Sequence, residues 1–137
     1  MSQKDTIVAK CRDFLAHRQE VRLAYLFGSW LKAERPKDLD LALYLDDGTA
    51  EPIGYSLKIA RELEEFLRAL KIEPDVKVLN SAPLYFQYEV VRGREVVFVR
   101  DEAERVRFEA EVAIEYLDFL PLLEEYNRLM MEKIRSW

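Results

Sequence analysis

The sequence predicts an α+β fold, an α/β layered architecture in which a small mixed β-sheet carries helices packed on it. Two observations support this prediction. The chain has 137 residues of which half are apolar, and segments with helical apolar spacing alternate with short runs of β-branched and aromatic residues. A chain of this length suits one hydrophobic core, and such alternation is typical of helices layered on a sheet. We therefore expect residues 1–137 to form a single domain.

The first element is an amphipathic helix over residues 5–18, capped by Asp5 or Thr6. Its apolar face contains Ile7, Val8, Cys11, Phe14 and Leu15. Cys11 lies within that face, so we expect a small buried hydrophobe rather than a reactive thiol. His17 is expected on the surface at the helix end, where a cation suits the helix dipole. A single cysteine and a single histidine exclude an internal disulfide and the usual structural zinc sites.

Two strands follow the first helix. Residues 21–27 form a strand that Gly28 stops, and residues 38–45 form a strand of strict alternation. One face of the second strand carries Leu39, Leu41, Leu43 and Leu45, and the other carries Asp38, Asp40, Ala42 and Tyr44. We expect the leucines to face the core and the aspartates to face a cleft.

The remaining elements alternate between helix and strand. A long amphipathic helix runs from Pro52 to about Leu70, with an apolar face of Ile53, Leu57, Ala60, Leu63, Phe66, Leu67 and Leu70. The third strand covers residues 75–79 and begins with Asp75. A helix over residues 82–91, a short strand over 96–99 and a long C-terminal helical segment over 101–137 complete the chain. The sequence contains no internal repeat, low-complexity segment or linker.

Charge and hydropathy exclude several classes of protein. The net charge is -5 and no run of five or six like charges occurs, so direct binding of nucleic acid is not expected. No apolar stretch has the roughly 18 residues that span a bilayer, and the N-terminus lacks the apolar run of a signal peptide. We therefore expect a soluble cytoplasmic protein with no membrane partner.

Two short motifs suggest chemistry only when they are taken together. Asp38 and Asp40 project from the same strand face about 7 Å apart, and a cation between them relieves their repulsion; Mg²⁺ favours such carboxylate oxygens. Gly28 and Ser29, at the end of the preceding strand, suit a phosphate bound by backbone N–H groups. Either motif alone is better explained as a solvent-facing pair or an ordinary turn. A metal-bound triphosphate needs both in one pocket, so their conjunction favours a nucleotide site.

The spacing Gly28-Ser29, eight residues, Asp38-Leu39-Asp40 resembles the signature of the DNA polymerase β-like nucleotidyltransferase superfamily. The segments at 74–83 and 88–93 are similar to those of MntA-type minimal nucleotidyltransferases, the antitoxin partners of HEPN-domain HepT toxins. Three positions, Trp30, Ala33 and Lys37, depart from the pattern, which leaves substrate choice and turn geometry open.

The resemblance implies a site and a reaction. Asp38, Asp40 and Asp75 would be the catalytic carboxylates and would hold two Mg²⁺ ions, with Glu73 as a substitute for Asp75. Gly28 and Ser29 would bind the nucleotide phosphates. The implied reaction transfers a nucleoside monophosphate, AMP from ATP or another nucleotide, to a hydroxyl group of a protein, and the implied role is that of an antitoxin.

The last helix has more apolar surface than one core requires. One stripe contains Phe108, Val112, Tyr116, Phe119, Leu123, Tyr126 and Met130. Four further apolar residues lie outside this stripe: Ile114, Leu117, Leu120 and Leu122. Pro121 is expected to kink the helix or to begin a new one there, shaping the helical segment without ending it. The resemblance implies that this helix docks a HEPN-domain toxin; a homodimer, or a helix folded back on its own domain, is the alternative.

Two other functions remain open from the sequence. The chain is alternatively a catalytically weak binding module that neutralises a toxin by contact, or a transferase acting on the hydroxyl group of a small molecule. The second usually requires a substantial further domain, for which 137 residues leave little room. The three carboxylates favour the enzyme, since a purely structural role does not need them to face one cleft.

Overall fold

The computed structural model describes residues 2–49, 51–93 and 95–137. The helices are α1 (Gln3–Ala16), α2 (Ser29–Lys32), α3 (Pro52–Leu67), α4 (Leu84–Gly93) and α5 (Glu102–Arg135). The strands are β1 (Val21–Leu26), β2 (Asp38–Leu45), β3 (Glu73–Val78) and β4 (Val96–Val99). Single 3-10 turns follow α3 and β3. Each predicted helix and strand is present within two or three residues of its predicted ends, which confirms the mixed α/β architecture.

The first helix begins earlier than predicted. Ser2 rather than Asp5 or Thr6 is the N-cap, and its hydroxyl accepts the Asp5 N–H while the Asp5 carboxylate accepts the Ser2 N–H. This reciprocal capping box satisfies two backbone donors that a helix start otherwise leaves without partners. Cys11 is buried as predicted, and burial raises the pKa of its thiol to about 12, so the thiol is inert.

The sheet has the strand order β3-β2-β1-β4. The pairs β1–β2 and β1–β4 are antiparallel, whereas β2 and β3 are parallel. Parallel neighbours cannot be joined by a tight hairpin, and α3 makes the crossover between them. The sheet is therefore mixed, as predicted, and β3 and β4 are its edges.

Helices cover both faces of the sheet. On one face, the leucines of β2 pack with residues of α1 and α3: Ile7, Cys11, Leu15, Ile59, Leu63 and Leu67. On the other face, side chains of β1 and β2 pack with those of α4 and α5: Leu23, Tyr25, Ala42, Val90, Val91, Phe108 and Val112. The face predicted to be a cleft is therefore closed at Ala42, which is fully buried. Asp38 and Tyr44, near the two ends of β2 on this face, remain half-buried.

The two halves of α5 differ in their environment. In the first half, Phe108 and Val112 are buried against the sheet, and Tyr116 stacks on Tyr88 of α4 with ring centroids 4.0 Å apart. The second half, residues 117–135, is called here the exposed half of α5. Its large apolar side chains that face solvent include Leu117, Phe119, Leu122, Tyr126, Leu129, Met130, Met131 and Ile134. The helix continues through Pro121 without a break, so no new helix begins there.

None of the helices in the described ranges has the length and hydrophobicity needed to cross a bilayer.

Candidate functional site

A tight turn between β1 and α2 brings two of the predicted residues to the site. Gly28 has a φ of 66°, a backbone conformation that glycine adopts without strain. A β-carbon at this position would lie 2.9 Å from Oδ2 of Asp40. Position 28 therefore requires glycine for two reasons, the backbone conformation and the close approach of a carboxylate.

The Asp40 carboxylate lies directly over this turn. Its Oδ2 accepts a hydrogen bond from Ser29 Oγ at 2.8 Å and one from the Trp30 backbone N–H at 3.2 Å. Asp40 is 7% exposed, and among the residues that the structure describes it is the only charged residue that is buried. Burying a charge is costly unless hydrogen bonds compensate, and the turn supplies two. The structure thus joins the Gly-Ser turn and the aspartate strand, which the sequence showed only as separate motifs.

The parallel register of β2 and β3 brings the third predicted carboxylate to the same place. Asp40 is the partner of Asp75, and Asp38 is the partner of Glu73. Paired residues of neighbouring strands lie about 5 Å apart and project from the same face of the sheet. Both the predicted Asp75 and its predicted substitute Glu73 are therefore beside the aspartate pair. Pro74 does not disturb the pairing, because β3 is an edge strand, where a missing N–H is tolerated.

These carboxylates have the donor chemistry of a magnesium site but are not gathered around one point. The described residues contain no group of three or more His, Cys, Asp or Glu side chains close enough to hold a metal ion. Asp40 is engaged by the turn, and Asp75 forms an ion pair with Lys77 at 3.5 Å. Carboxylate oxygens on one sheet face match the preference of Mg²⁺, so the residues fit the ion.

Two pockets flank the carboxylates, and Phe86 lines both. The pocket on the β1 side, here the Gly28 pocket, has a volume of about 280 Å³ and includes Lys32 and Glu89 in its lining. The opening on the β3 side, here the β3 groove, has a volume of about 630 Å³ and includes Asp75 and Lys77. Both lie within or close to the range of small-molecule and ligand sites. The two openings thus lie on opposite sides of β2, which carries Asp40.

The sequence did not predict the β3 groove, and two residues show why. Ile53 and Leu57 were assigned to the core face of α3, yet they are 70% and 63% exposed and line the groove. Helical spacing identifies an apolar face but does not show where the sheet beneath it ends. The first turns of α3 form one wall of an open groove, so these two side chains stay exposed.

The three departures from the family pattern lie outside the pocket. The Trp30 side chain is buried in the core beneath the turn, with the Lys4 ammonium 5.3 Å from its ring centre. The Ala33 carbonyl accepts a hydrogen bond from Lys4 Nζ, and the Lys37 carbonyl accepts one from the Glu73 N–H. These positions therefore anchor the turn and the start of β2 and do not line the site.

Residues 9–103 match the family described as polymerase beta, nucleotidyltransferase. The match includes α2 to β4, and all five predicted site residues lie within it. The comparison with curated proteins gives no match.

Several solved structures have a similar fold. A chain of the crystal structure of the toxin–antitoxin MntA–HepT superposes with a TM-score of 0.67 at 20% identity, covering 95% of this chain and 97% of that chain. A chain from the tri-AMPylated Shewanella oneidensis HEPN toxin in complex with MNT antitoxin gives 0.68 at 19% identity, with coverages of 96% and 98%. A toxin–antitoxin crystal structure with AMP-PNP gives 0.67 at 21%, with coverages of 97% and 98%. The family model confirms the predicted resemblance in family, and the solved structures confirm it in fold, over a length that includes most of α5.

Proposed function

This chain belongs to the polymerase β nucleotidyltransferase family, and we propose that it transfers AMP from ATP to a hydroxyl group of a partner protein. The observation that carries the proposal is the strand register. It puts Asp75 beside Asp40, and Asp40 over the Gly28-Ser29 turn. Neighbouring carboxylates and an anion-binding turn on one sheet face are the two parts that metal-assisted nucleotidyl transfer needs.

Each residue has a distinct proposed role. Asp38, Asp40 and Asp75 hold two Mg²⁺ ions, which when bound neutralise the triphosphate and lower the pKa of the attacking hydroxyl. Gly28 and Ser29 hold the phosphates by backbone N–H groups, and Lys32 in the Gly28 pocket adds a positive charge. The Ser29 hydroxyl and the Trp30 N–H fix the orientation of Asp40.

The proposed reaction is a single displacement at the α-phosphorus. The acceptor oxygen forms a bond to this phosphorus, the bond to the bridging oxygen of the pyrophosphate breaks, and the hydroxyl proton passes to the Asp75 carboxylate. Asp75 suits this role because its side chain is 47% exposed and lines the β3 groove. Pyrophosphate leaves on the opposite side, where the Gly28 pocket opens.

We further propose that the partner is a HEPN-domain toxin and that it binds the exposed half of α5, which would make this chain its antitoxin. Solved relatives of this fold are complexes of an MNT antitoxin with a HEPN toxin. Phe119, Leu122, Tyr126 and Leu129 are exposed at 3-4-3 spacing, the pattern by which a helix packs into an apolar groove between or along other helices. A homodimer through the same face is the competing assembly.

Incubation of the purified protein with labelled ATP and Mg²⁺, with and without a HEPN-domain protein, tests the proposal. We expect the HEPN protein to gain label and the mass of one or more AMP groups, and this chain to gain neither. Binding of the HEPN protein without any mass gain would support neutralisation by contact. Consumption of ATP with label on neither polypeptide would point to a small-molecule acceptor.

The substitution Asp40→Asn provides the site control. Asparagine keeps an oxygen that accepts the hydrogen bonds of Ser29 and Trp30, so folding should be preserved while a metal ligand is lost. We expect transfer to fall more than about 100-fold. Asp47→Asn removes an exposed carboxylate just beyond β2 and should leave transfer unchanged. Near-normal transfer by Asp40→Asn would exclude the proposed site.

A further inference from the structure

The β3 groove lies along a free edge of the sheet. Its floor is β3, one wall is the start of α3 with Ile53 and Leu57, and the other wall is the segment from Ser81 to Phe86. Tyr85 on that wall is 65% exposed. Much of the lining is apolar, and the charged side chains in it are Asp75 and Lys77, which pair with each other. The groove therefore offers apolar contacts and no net charge.

The backbone of β3 leaves hydrogen-bonding groups directed into this groove. The Glu73 N–H donates to the Lys37 carbonyl at 2.9 Å, on the β2 side. Because N–H groups alternate in direction along a parallel strand, those of Val76 and Val78 point toward the free edge. Pro74 occupies the other outward position and has no N–H to offer. An added strand can therefore pair with the part of β3 that begins at Asp75.

We propose that the β3 groove binds an extended polypeptide segment as an added strand, and that this segment carries the hydroxyl group that receives the nucleotide. The proposal rests on the proposed function and identifies its acceptor as polypeptide in extended form. Unpaired strand N–H and carbonyl groups complement a polypeptide backbone, and a groove between an edge strand and a helix is a recurring peptide site. A small sugar or a lipid offers no such ladder of donors and acceptors.

The geometry also assigns the faces of the bound segment. Side chains of an added strand alternate between the two walls. Those on one side contact Ile53 and Leu57, while those on the other face Tyr85 and lie next to Asp75. Neighbouring residues across a strand pair have β-carbons about 5 Å apart. A serine, threonine or tyrosine facing Asp75 thus brings its hydroxyl to the carboxylate that takes its proton. The favoured acceptor has apolar residues at alternate positions around one hydroxyl residue.

A binding experiment tests the groove without relying on catalysis. The probe is the peptide Lys-Gln-Val-Gln-Val-Tyr-Val-Gln-Lys, in which the tyrosine is the one hydroxyl residue, and the readout is amide hydrogen exchange of the protein. We expect the peptide to slow the exchange of the Val76 and Val78 amides. The same sequence with N-methyl groups throughout its backbone should not slow it. Equal effects of the two peptides, or no slowing by the first, would overturn the proposal.

Substitutions in the groove wall provide a second test. The double variant Ile53→Lys and Leu57→Lys alters two exposed side chains, so folding should be preserved. We expect the KM for labelling the peptide tyrosine to rise at least about tenfold, with kcat and ATP binding little changed. Val106→Lys, an exposed apolar position on α5, is the matched control and should change none of them.

The two proposals fail in different ways. If the peptide slows exchange at Val76 and Val78 of the parent protein but receives no label, the peptide-binding groove is supported and the proposed transfer to a protein hydroxyl is wrong. If the parent protein labels the peptide and the groove variant labels it with unchanged KM, transfer stands and the acceptor reaches Asp75 by another route.

Discussion

The sheet with its covering helices and the exposed half of α5 are stabilised in different ways. In the sheet, buried leucines such as Leu41 on one face and Leu23 on the other pack between strands and helices. In the exposed half of α5, comparable apolar side chains such as Leu122 and Leu129 face solvent. The same residue type thus contributes to folding in one region and is available for association in the other. Amino-acid composition alone does not distinguish the two regions.

Local interactions alone support the helix in its exposed half. Arg128 pairs with Glu125 and Glu132 at helical spacing, and these exposed pairs contribute little. A helix of this length without tertiary packing is marginal in water. The docked half, in which Phe108 and Val112 are buried, is continuous with the exposed half and provides the helical turns from which the exposed half extends. The proposed partner would supply the tertiary packing that the exposed half lacks.

The largest expected effect on stability comes from a core leucine. Leu63→Ala removes a fully buried side chain of α3 and should lower the free energy of unfolding by about 2–5 kcal/mol. Leu122→Ala, which is 68% exposed, should change it by less than about 0.5 kcal/mol. Urea unfolding of the isolated protein measures both. A loss of similar size for the two variants would mean that the exposed half packs on the body of the protein in solution.

The next largest effect is on partner binding, for which the exposed half of α5 should matter more than the sheet. The double variant Leu122→Lys and Leu129→Lys should leave urea unfolding unchanged but weaken binding of the HEPN-domain protein by about 2 kcal/mol or more. Buried apolar anchors dominate such interfaces, and lysine ammonium groups are costly to desolvate there. Titration calorimetry measures the affinity, and Val106→Lys on the docked half is the control. Unchanged affinity of the double variant would exclude this surface as the docking face.

The sequence predicted the sheet body well, because its signals are local. The alternation along β2 assigned Leu39 to the core and Asp40 to the opposite face, and the glycine after β1 marked the turn. Two features depend on long-range pairing and leave no local signal. The residues alone did not show that β3 lies parallel to β2 in the register that pairs Asp75 with Asp40; only the family resemblance implied their proximity. Helical spacing likewise placed Ile53 on the core face of α3, although its side chain is 70% exposed.

The smallest expected effect on stability comes from a contact just before the start of β1, where Tyr55 of α3 meets Glu20. The Tyr55 hydroxyl donates a hydrogen bond to Glu20 Oε1 at 2.8 Å, and this bond lowers the pKa of Glu20. Tyr55→Phe should cost about 0.5–1.5 kcal/mol at neutral pH. A carboxyl whose folded pKa is lowered contributes stability above its unfolded pKa and loses it as the pH falls through the folded pKa. The difference between parent and Tyr55→Phe in urea unfolding should therefore shrink below about pH 4, while HEPN binding at neutral pH stays unchanged. A difference that persists undiminished in acid would mean that the bond does not depend on the Glu20 charge, and weakened HEPN binding would place part of the interface on the sheet body.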